Sequence, residues 1–396
     1  MSVNDWWEIS MIQYFYKCIY VLKINKMKGL KIGNLTSRIP IIQGGMGVGI
    51  SLSGLSSAVA NEGGVGVISS AGLGLLYKDY AKDFVTASII GLKEEIRKAK
   101  EKTSGIIGVN VMMALTNFAD LVKTAIAEKA DIIFSGAGLP LDLPKYLTEN
   151  RTTKLVPIVS SARAVKIICE KWKTNYDYLP DLVVVEGPKA GGHLGFKINT
   201  IFDPDYALEK IIPEVIHEVA FFEEKYNQKI PVVAAGGIYT GEDMYKIMQL
   251  GAQGVQIASR LVTTEECDAD IHFKEAYLNA GEDDVEIILS PVGMPGRAIK
   301  NEFLNKVKRG EKIPKSCPYH CLKTCDYENS PYCIMMALYN AYNGNMDKGY
   351  AFAGSNAYRN TKISTVKEVF SDLMSEYKLA KERAKNTNRW NESSLK

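Results

Sequence analysis

The chain has 396 residues, 46% of them hydrophobic and 23% charged, with a formal net charge of +3. That balance belongs to an ordinary globular protein and offers no basic stripe for nucleic acid. No stretch approaches the ~20 apolar residues of a membrane span, and seven cysteines, with Cys18, Cys169 and Cys267 scattered, make no secreted disulfide framework, so the cytoplasm is the expected compartment.

Residues 1–26 carry Trp6, Trp7, Tyr14, Phe15, Tyr16 and Tyr20 ahead of Lys23 and Lys26. Asp5 and Glu8 stand where a signal peptide carries positive charge, and Lys17 breaks the apolar run. The segment reads as either a packed helix or an upstream extension of doubtful role with the functional start at Met27, and we favour the second.

Eight short β-rich runs follow: Ile39–Gln43, Val65–Ser69, Ile106–Val111, Asp131–Ser135, Leu155–Ser160, Leu182–Glu186, Pro231–Ala235 and Gly254–Ala258. They are continuous rather than alternating, the pattern of parallel strands buried on both faces. Helical grammar lies between them. Leu52, Leu55 and Val59 repeat behind Ser51, and Thr240 with Asp243 forms a capping-box pattern ahead of Met244, with Gly251 closing that helix. Eight such units in ~230 residues predict an α/β fold, a (β/α)₈ TIM barrel over residues 27–262.

The longest gap between strands includes Asn199–Glu224 and predicts a helix plus an insertion. After the eighth strand, residues 263–345 carry Pro291, Pro295, Pro314, Pro318 and Pro331 and predict a helical or irregular lid subdomain. Residues 346–396 return through Gly354-Ser355-Asn356-Ala357-Tyr358-Arg359 to a final helix, Val366–Ala384, packed on the barrel.

In a (β/α)₈ barrel the chemistry lies where the strands end. Here those ends are polar or glycine-rich: Gln43-Gly44-Gly45-Met46, Asn110, Ser135-Gly136-Ala137-Gly138, Gly236-Gly237 and Ser259. The sixth run empties into Glu186-Gly187-Pro188-Lys189-Ala190-Gly191-Gly192-His193-Leu194-Gly195. Glycines there permit close approach of backbone to a ligand, and the imidazole suits proton transfer near neutral pH. Gly236-Gly237 before a capped helix, with Gln256-Ile257-Ala258-Ser259 alongside, reads as a phosphate site. No lysine stands in a Schiff-base context, so FMN suits the site better than pyridoxal phosphate.

Taken together, Ile39–Met46, Gly108-Val109-Asn110, Glu186–Gly195, Ala234–Ile238, Gln256–Ser259 and Arg297-Ala298-Ile299-Lys300-Asn301 resemble the nitronate monooxygenase family, which includes flavin-dependent enoyl-acyl-carrier-protein reductases. The resemblance implies a barrel binding FMN non-covalently over the strand ends. It places Asn110, Gly191, Gly192, Gly236, Gly237 and Gln256, Ile257, Ala258 and Ser259 at the cofactor, and Gly45 and Met46 beside its ring. Glu186 stands where nitronate monooxygenases often have glutamine, and His193 matches the catalytic histidine. The activity implied is oxidation of alkyl nitronates or nitroalkanes by O₂. The alternatives are NAD(P)H-dependent reduction of an enoyl thioester and a flavin electron-transfer module. A small-molecule substrate is expected, with no nucleic acid or membrane partner and a homodimer as the candidate assembly.

The barrel does not account for Cys317-x₃-Cys321-x₃-Cys325-x₇-Cys333, with His320 inside it. Four thiolates can hold Zn²⁺ or an Fe–S cluster. The spacing matches neither standard pattern, and a thiol-rich lid or a disulfide pair stays open beside a metal site.

Overall fold

The structure is a computed structural model that describes residues 27–147, 152–311 and 317–394; the extension 1–26 lies outside the described residues. Leu30–Ile32 (β1) and Leu35–Ser37 (β2) form an antiparallel hairpin. Then come Ile41–Gln43 (β3), Val65–Ser69 (β4), Ile106–Asn110 (β5), Ile132–Ser135 (β6), Lys154–Val159 (β7) and Val183–Glu186 (β8). Gly192–His193 (β9) belongs to a second sheet, and Val232–Ala235 (β10) and Gly254–Ile257 (β11) complete the first. All eight strands of that first sheet pair in parallel and close into a barrel, the expected TIM-barrel fold.

Two apolar layers explain the continuous strands. Ile42, Val65, Val67, Ile132, Phe134, Val156, Val184 and Val233 fill the barrel, and Leu30 and Ile32 of the hairpin join them. Gly33 at the hairpin tip sits against Asp181 and Lys154, at the strands' N-terminal end, so the hairpin plugs the floor. Alternate residues such as Ile41, Val109, Val159 and Val185 face outward onto the helices.

Those helices are Ser53–Asn61 (α1), Phe84–Lys102 (α2), Phe118–Ala127 (α3), Ala162–Tyr176 (α4), Leu208–Tyr226 (α5) and Gly241–Gln249 (α6). The insertion ahead of α5 consists of two 3₁₀ turns, Ile198–Thr200 and Pro204–Tyr206. At α6 the Thr240–Asp243 capping box forms as expected, and Gly251 lies just beyond the helix at φ +105°.

The segment after β11 corrects the expectation. It holds Ile271–Leu278 (α7), but then a hairpin, Val285–Leu289 (β12) and Pro295–Ile299 (β13), where helix and irregular chain were expected. β13 pairs with β9, setting Gly296 opposite His193 and Arg297 opposite Gly192. Pro295 is tolerated because it is the first residue of its strand. Glu302–Lys308 (α8) and Ile334–Tyr342 (α9) follow. The final helix, Val366–Ser394 (α10), runs ten residues beyond its expected end at Ala384. It packs so closely on α6 that a Cβ on Gly241 would stand 2.0 Å from the Leu373 carbonyl oxygen. No helix among the described residues is long and apolar enough to cross a membrane.

Candidate active site

The C-terminal ends of the strands and the lid enclose a cavity of about 500 Å³. Every barrel residue expected at the site lines it: Gly45, Met46, Asn110, Glu186, Gly191, Gly192, His193, Gly236, Gly237 and Gln256 to Ser259. The fold brings them together because each sits on, or just past, the end of its strand. The four cysteines are not among them; they surround a separate, smaller cavity in the lid.

On the barrel side the wall is largely backbone. Gly236 and Gly237 adopt φ of +94° and +82°, open to glycine at little cost. A Cβ on Gly191 would lie 2.5 Å from backbone atoms of Ala353 and Gly354, and one on Gly45 would lie 2.4 Å from the Asn110 Cβ. Gln43, fully buried, fixes the first strand end by donating to the carbonyls of Gly44 (2.6 Å) and Val67 (2.9 Å) and accepting from the Val67 amide (2.9 Å).

One part of the phosphate expectation changes. At the start of α6, Gly241 donates to Glu376 of α10 (2.6 Å) and Asp243 to the Thr240 hydroxyl (3.1 Å), and just before the helix Tyr239 and Thr240 donate to Asp243. The Gly236-Gly237 turn and the Gln256–Ser259 segment line this corner of the cavity. Beside them stand residues that the sequence did not mark. The Gly354 amide donates to the Ser259 hydroxyl (3.1 Å), Asn356 donates to the Gly237 carbonyl (2.7 Å), and the Ser355 hydroxyl is buried with no hydrogen-bond partner. Glycine beside two small polar residues is the available sequence signal, but its position at the cavity depends on the path of the C-terminal segment. A buried, unpartnered hydroxyl on the cavity wall fits a ligand that accepts or donates there.

The catalytic candidate is held from the lid. The Nε2 of His193 lies 2.7 Å from the Ser290 hydroxyl, on the turn joining β12 to β13, and its ring meets the Phe352 ring edge-on at 5.1 Å. No local sequence signal marks Ser290. Burial pulls the imidazole down to about 4, so it is neutral at physiological pH. Burial alone pushes the Glu186 carboxyl up to about 7, and no cation or hydrogen-bond donor among the described residues reaches it. Arg297, 5% exposed, donates to the carbonyls of Pro188 (2.6 Å) and Ala190 (2.7 Å), and burial lowers it to about 10. Its guanidinium stays charged and anchors the glycine-rich loop to β13.

The roof is apolar. Val292, Met294, Leu322, Ile334, Met335 and Leu338 of the lid face the cavity opposite the glycines. The arrangement offers a backbone cradle for a phosphate-bearing cofactor, a neutral base at the mouth and an apolar compartment above.

Comparison with known proteins agrees with the barrel fold. The family model for nitronate monooxygenase matches residues 28–376. A probable nitronate monooxygenase of Staphylococcus haemolyticus is 28% identical, over 70% of this chain and 80% of its own. One from Bacillus subtilis is 26% identical over 85% and 95%. A (3aS,4S,5R,7aS)-5-hydroxy-7a-methyl-1-oxo-octahydro-1H-indene-4-carboxyl-CoA dehydrogenase of Mycobacterium tuberculosis is 27% identical, over 69% of this chain and 66% of its own length. Among solved structures, FabK from Thermotoga maritima superposes with a TM-score of 0.67 at 25% identity, covering 89% of this chain and 96% of that one.

Proposed function

The chain belongs to the nitronate monooxygenase family and is an oxidoreductase; from that premise we propose that it binds FMN and oxidises alkyl nitronates or nitroalkanes with O₂. The observation that carries this reading is His193: a neutral imidazole at the mouth of a glycine-lined cavity, with one nitrogen fixed by Ser290.

The residues fit the cofactor. The turns at Gly236-Gly237 and Gln256–Ser259 and the unpartnered Ser355 hydroxyl would hold the phosphate. Gly45, Met46, Asn110, Glu186, Gly191 and Gly192 would border the ring system, where side chains larger than glycine at 45 and 191 find no room. When bound, FMN supplies the electron chemistry between substrate and O₂. The chain supplies the proton chemistry. His193 takes the proton from the carbon beside the nitro group of a neutral substrate, or orients a nitronate that has already lost it. Arg297, through the carbonyls it binds, keeps the His193 loop against β13 while this happens.

A second reading has its own support. The apolar lid roof suits a substrate bulkier than a small nitronate, such as an enoyl thioester reduced with NAD(P)H, with His193 positioning the thioester carbonyl. Anaerobic titration of the flavin-loaded protein separates the two. Bleaching of the flavin by a nitronate, with NADH and NADPH leaving it unchanged, is the expected outcome. Rapid bleaching by either pyridine nucleotide alone would overturn the monooxygenase reading in favour of the reductase.

A further inference from the structure

The loop from Cys317 to the start of α9 contributes Leu322 to the cavity roof but no group to the proton chemistry above. Its backbone forms no helix, and its one bridge joins Leu322 to Leu115. Two backbone hydrogen bonds make that bridge, the Thr116 amide donating to the Cys321 carbonyl (3.2 Å) and the Lys323 amide to the Ala114 carbonyl (2.9 Å), and the Lys323 ammonium donates to the Met113 carbonyl (3.0 Å). Even so, the loop brings Cys317, Cys321, Cys325, Cys333 and His320 around one cavity of about 20 Å³. None of the four thiols is in a disulfide. Cys333 sits at the N-cap of α9, the helix end that favours negative charge, without a capping hydrogen bond of its own. The buried Ser330 hydroxyl stands beside Cys325 without meeting the geometry of any hydrogen bond.

The other described cysteines behave differently. Cys169 and Cys267 lie singly in apolar clusters of the core, as small hydrophobes do. Four thiols converging from a loop that has little regular structure exceed what packing requires. We propose that Cys317, Cys321, Cys325 and Cys333 together bind a thiophilic metal centre, zinc or iron–sulfur, as thiolates. Each S–H bond gives way to a sulfur–metal bond, and the proton leaves to solvent.

As placed, no three of these groups stand at the spacing of ligands to one ion, and the void is about the size of one water. The loop must therefore draw in around zinc or open around a cluster; residues 325–330, whose backbone makes no hydrogen bond to the described barrel residues, can follow, while Tyr319, Cys321 and Leu322 stay packed on it. Leu322, Ile334 and Met335 line both this cavity and the large one. The centre would thus lie one layer of side chains from the large cavity.

The test uses the full chain, purified anaerobically and incubated either with Zn²⁺ alone or with ferrous iron, sulfide and a thiol reductant. After desalting, metal and acid-labile sulfide are measured and unprotected cysteines are counted by alkylation and mass spectrometry. The expected result is about one zinc, or about four iron with matching sulfide, per chain, with these four cysteines protected. Sulfide distinguishes the two centres. Cys325→Ala, at a half-buried position, should lower retention at least tenfold, whereas Cys169→Ala should keep it, and flavin content reports folding in both. Full alkylation without metal, an oxidised disulfide pair, or metal retention unchanged in Cys325→Ala would each overturn the proposal.

Discussion

The two halves of the large cavity are built on different principles. The barrel half is backbone: glycines at 45, 191, 236 and 237 bring the main chain to the surface, and neighbouring atoms leave little or no room for a Cβ. The lid half is side chains, with Met294, Ile334, Met335 and Leu338 over the mouth and an aromatic cluster of Phe303, Tyr332, Tyr350 and Phe352 behind them. A backbone wall cannot be altered by ordinary substitution without clash, whereas a wall of Met and Leu changes shape easily. One fold can thus hold a constant cofactor while its substrates vary, consistent with relatives named for nitronate oxidation and for a carboxyl-CoA dehydrogenase.

The strongest test of that division is Gly191→Ala. Its Cβ would stand 2.5 Å from the main chain of Ala353 and Gly354, which cannot yield as a side-chain tip does. The added methyl pushes the C-terminal segment away from the glycine-rich loop, and Ser355 and Asn356 move with it. Flavin content of the purified protein should fall at least tenfold. Wild-type flavin content in this variant would show that the barrel half tolerates change after all.

Next in size is His193→Asn, which removes the imidazole that bridges the barrel loop to Ser290 of the lid, while the pairing of β9 with β13 and the Arg297 hydrogen bonds keep the loop in place. Flavin should stay bound, because the phosphate corner is elsewhere, while turnover of a neutral nitroalkane slows by ~10²-fold or more. The wild-type pH profile carries the same information. Burial lowers this imidazole to about 4, so the base form persists at neutral pH and activity should fall as pH drops through about 4. Below its ordinary 6.5 the unfolded chain takes up a proton that the folded chain refuses. This group's contribution to stability therefore declines as pH falls from 6.5 to about 4. A rate profile with an acid limb near 6.5 instead would mean that the histidine is solvated during turnover.

The same division explains what the sequence disclosed. The strands were legible because burial on both faces makes them continuous Val and Ile runs, and the strand ends were legible because glycine and Asn mark them. The capping box at Thr240 and Asp243 is a local motif and formed as read. The lid was not legible. β9 is two residues long with Gly192 at φ +74°, and it exists only because β13 pairs with it. The prolines at 291 and 295 flank the turn of a hairpin, though in sequence they read as breaks. Ser290 and Ser355 reach the site through tertiary paths that no periodicity records.

The smallest expected effect, and the most discriminating, is Ser355→Ala. With no hydrogen-bond partner, the buried Ser355 hydroxyl carries a desolvation cost of ~1–3 kcal/mol in the cofactor-free protein. Removing it should raise the thermal midpoint of the flavin-free protein by a few degrees. If the hydroxyl donates to the cofactor phosphate, the same substitution removes one charge-assisted hydrogen bond and weakens FMN binding about tenfold, at ~1.5 kcal/mol. The two forms should therefore move in opposite directions, the free protein gaining stability and the complex losing affinity. Calorimetry of both forms with a flavin titration measures this directly. A variant destabilised in both forms would assign Ser355 to the packing of the C-terminal segment rather than to the phosphate corner. Opposite signs would mark it as a polar group held in reserve for a ligand, placed by the last segment of the chain to join the barrel mouth.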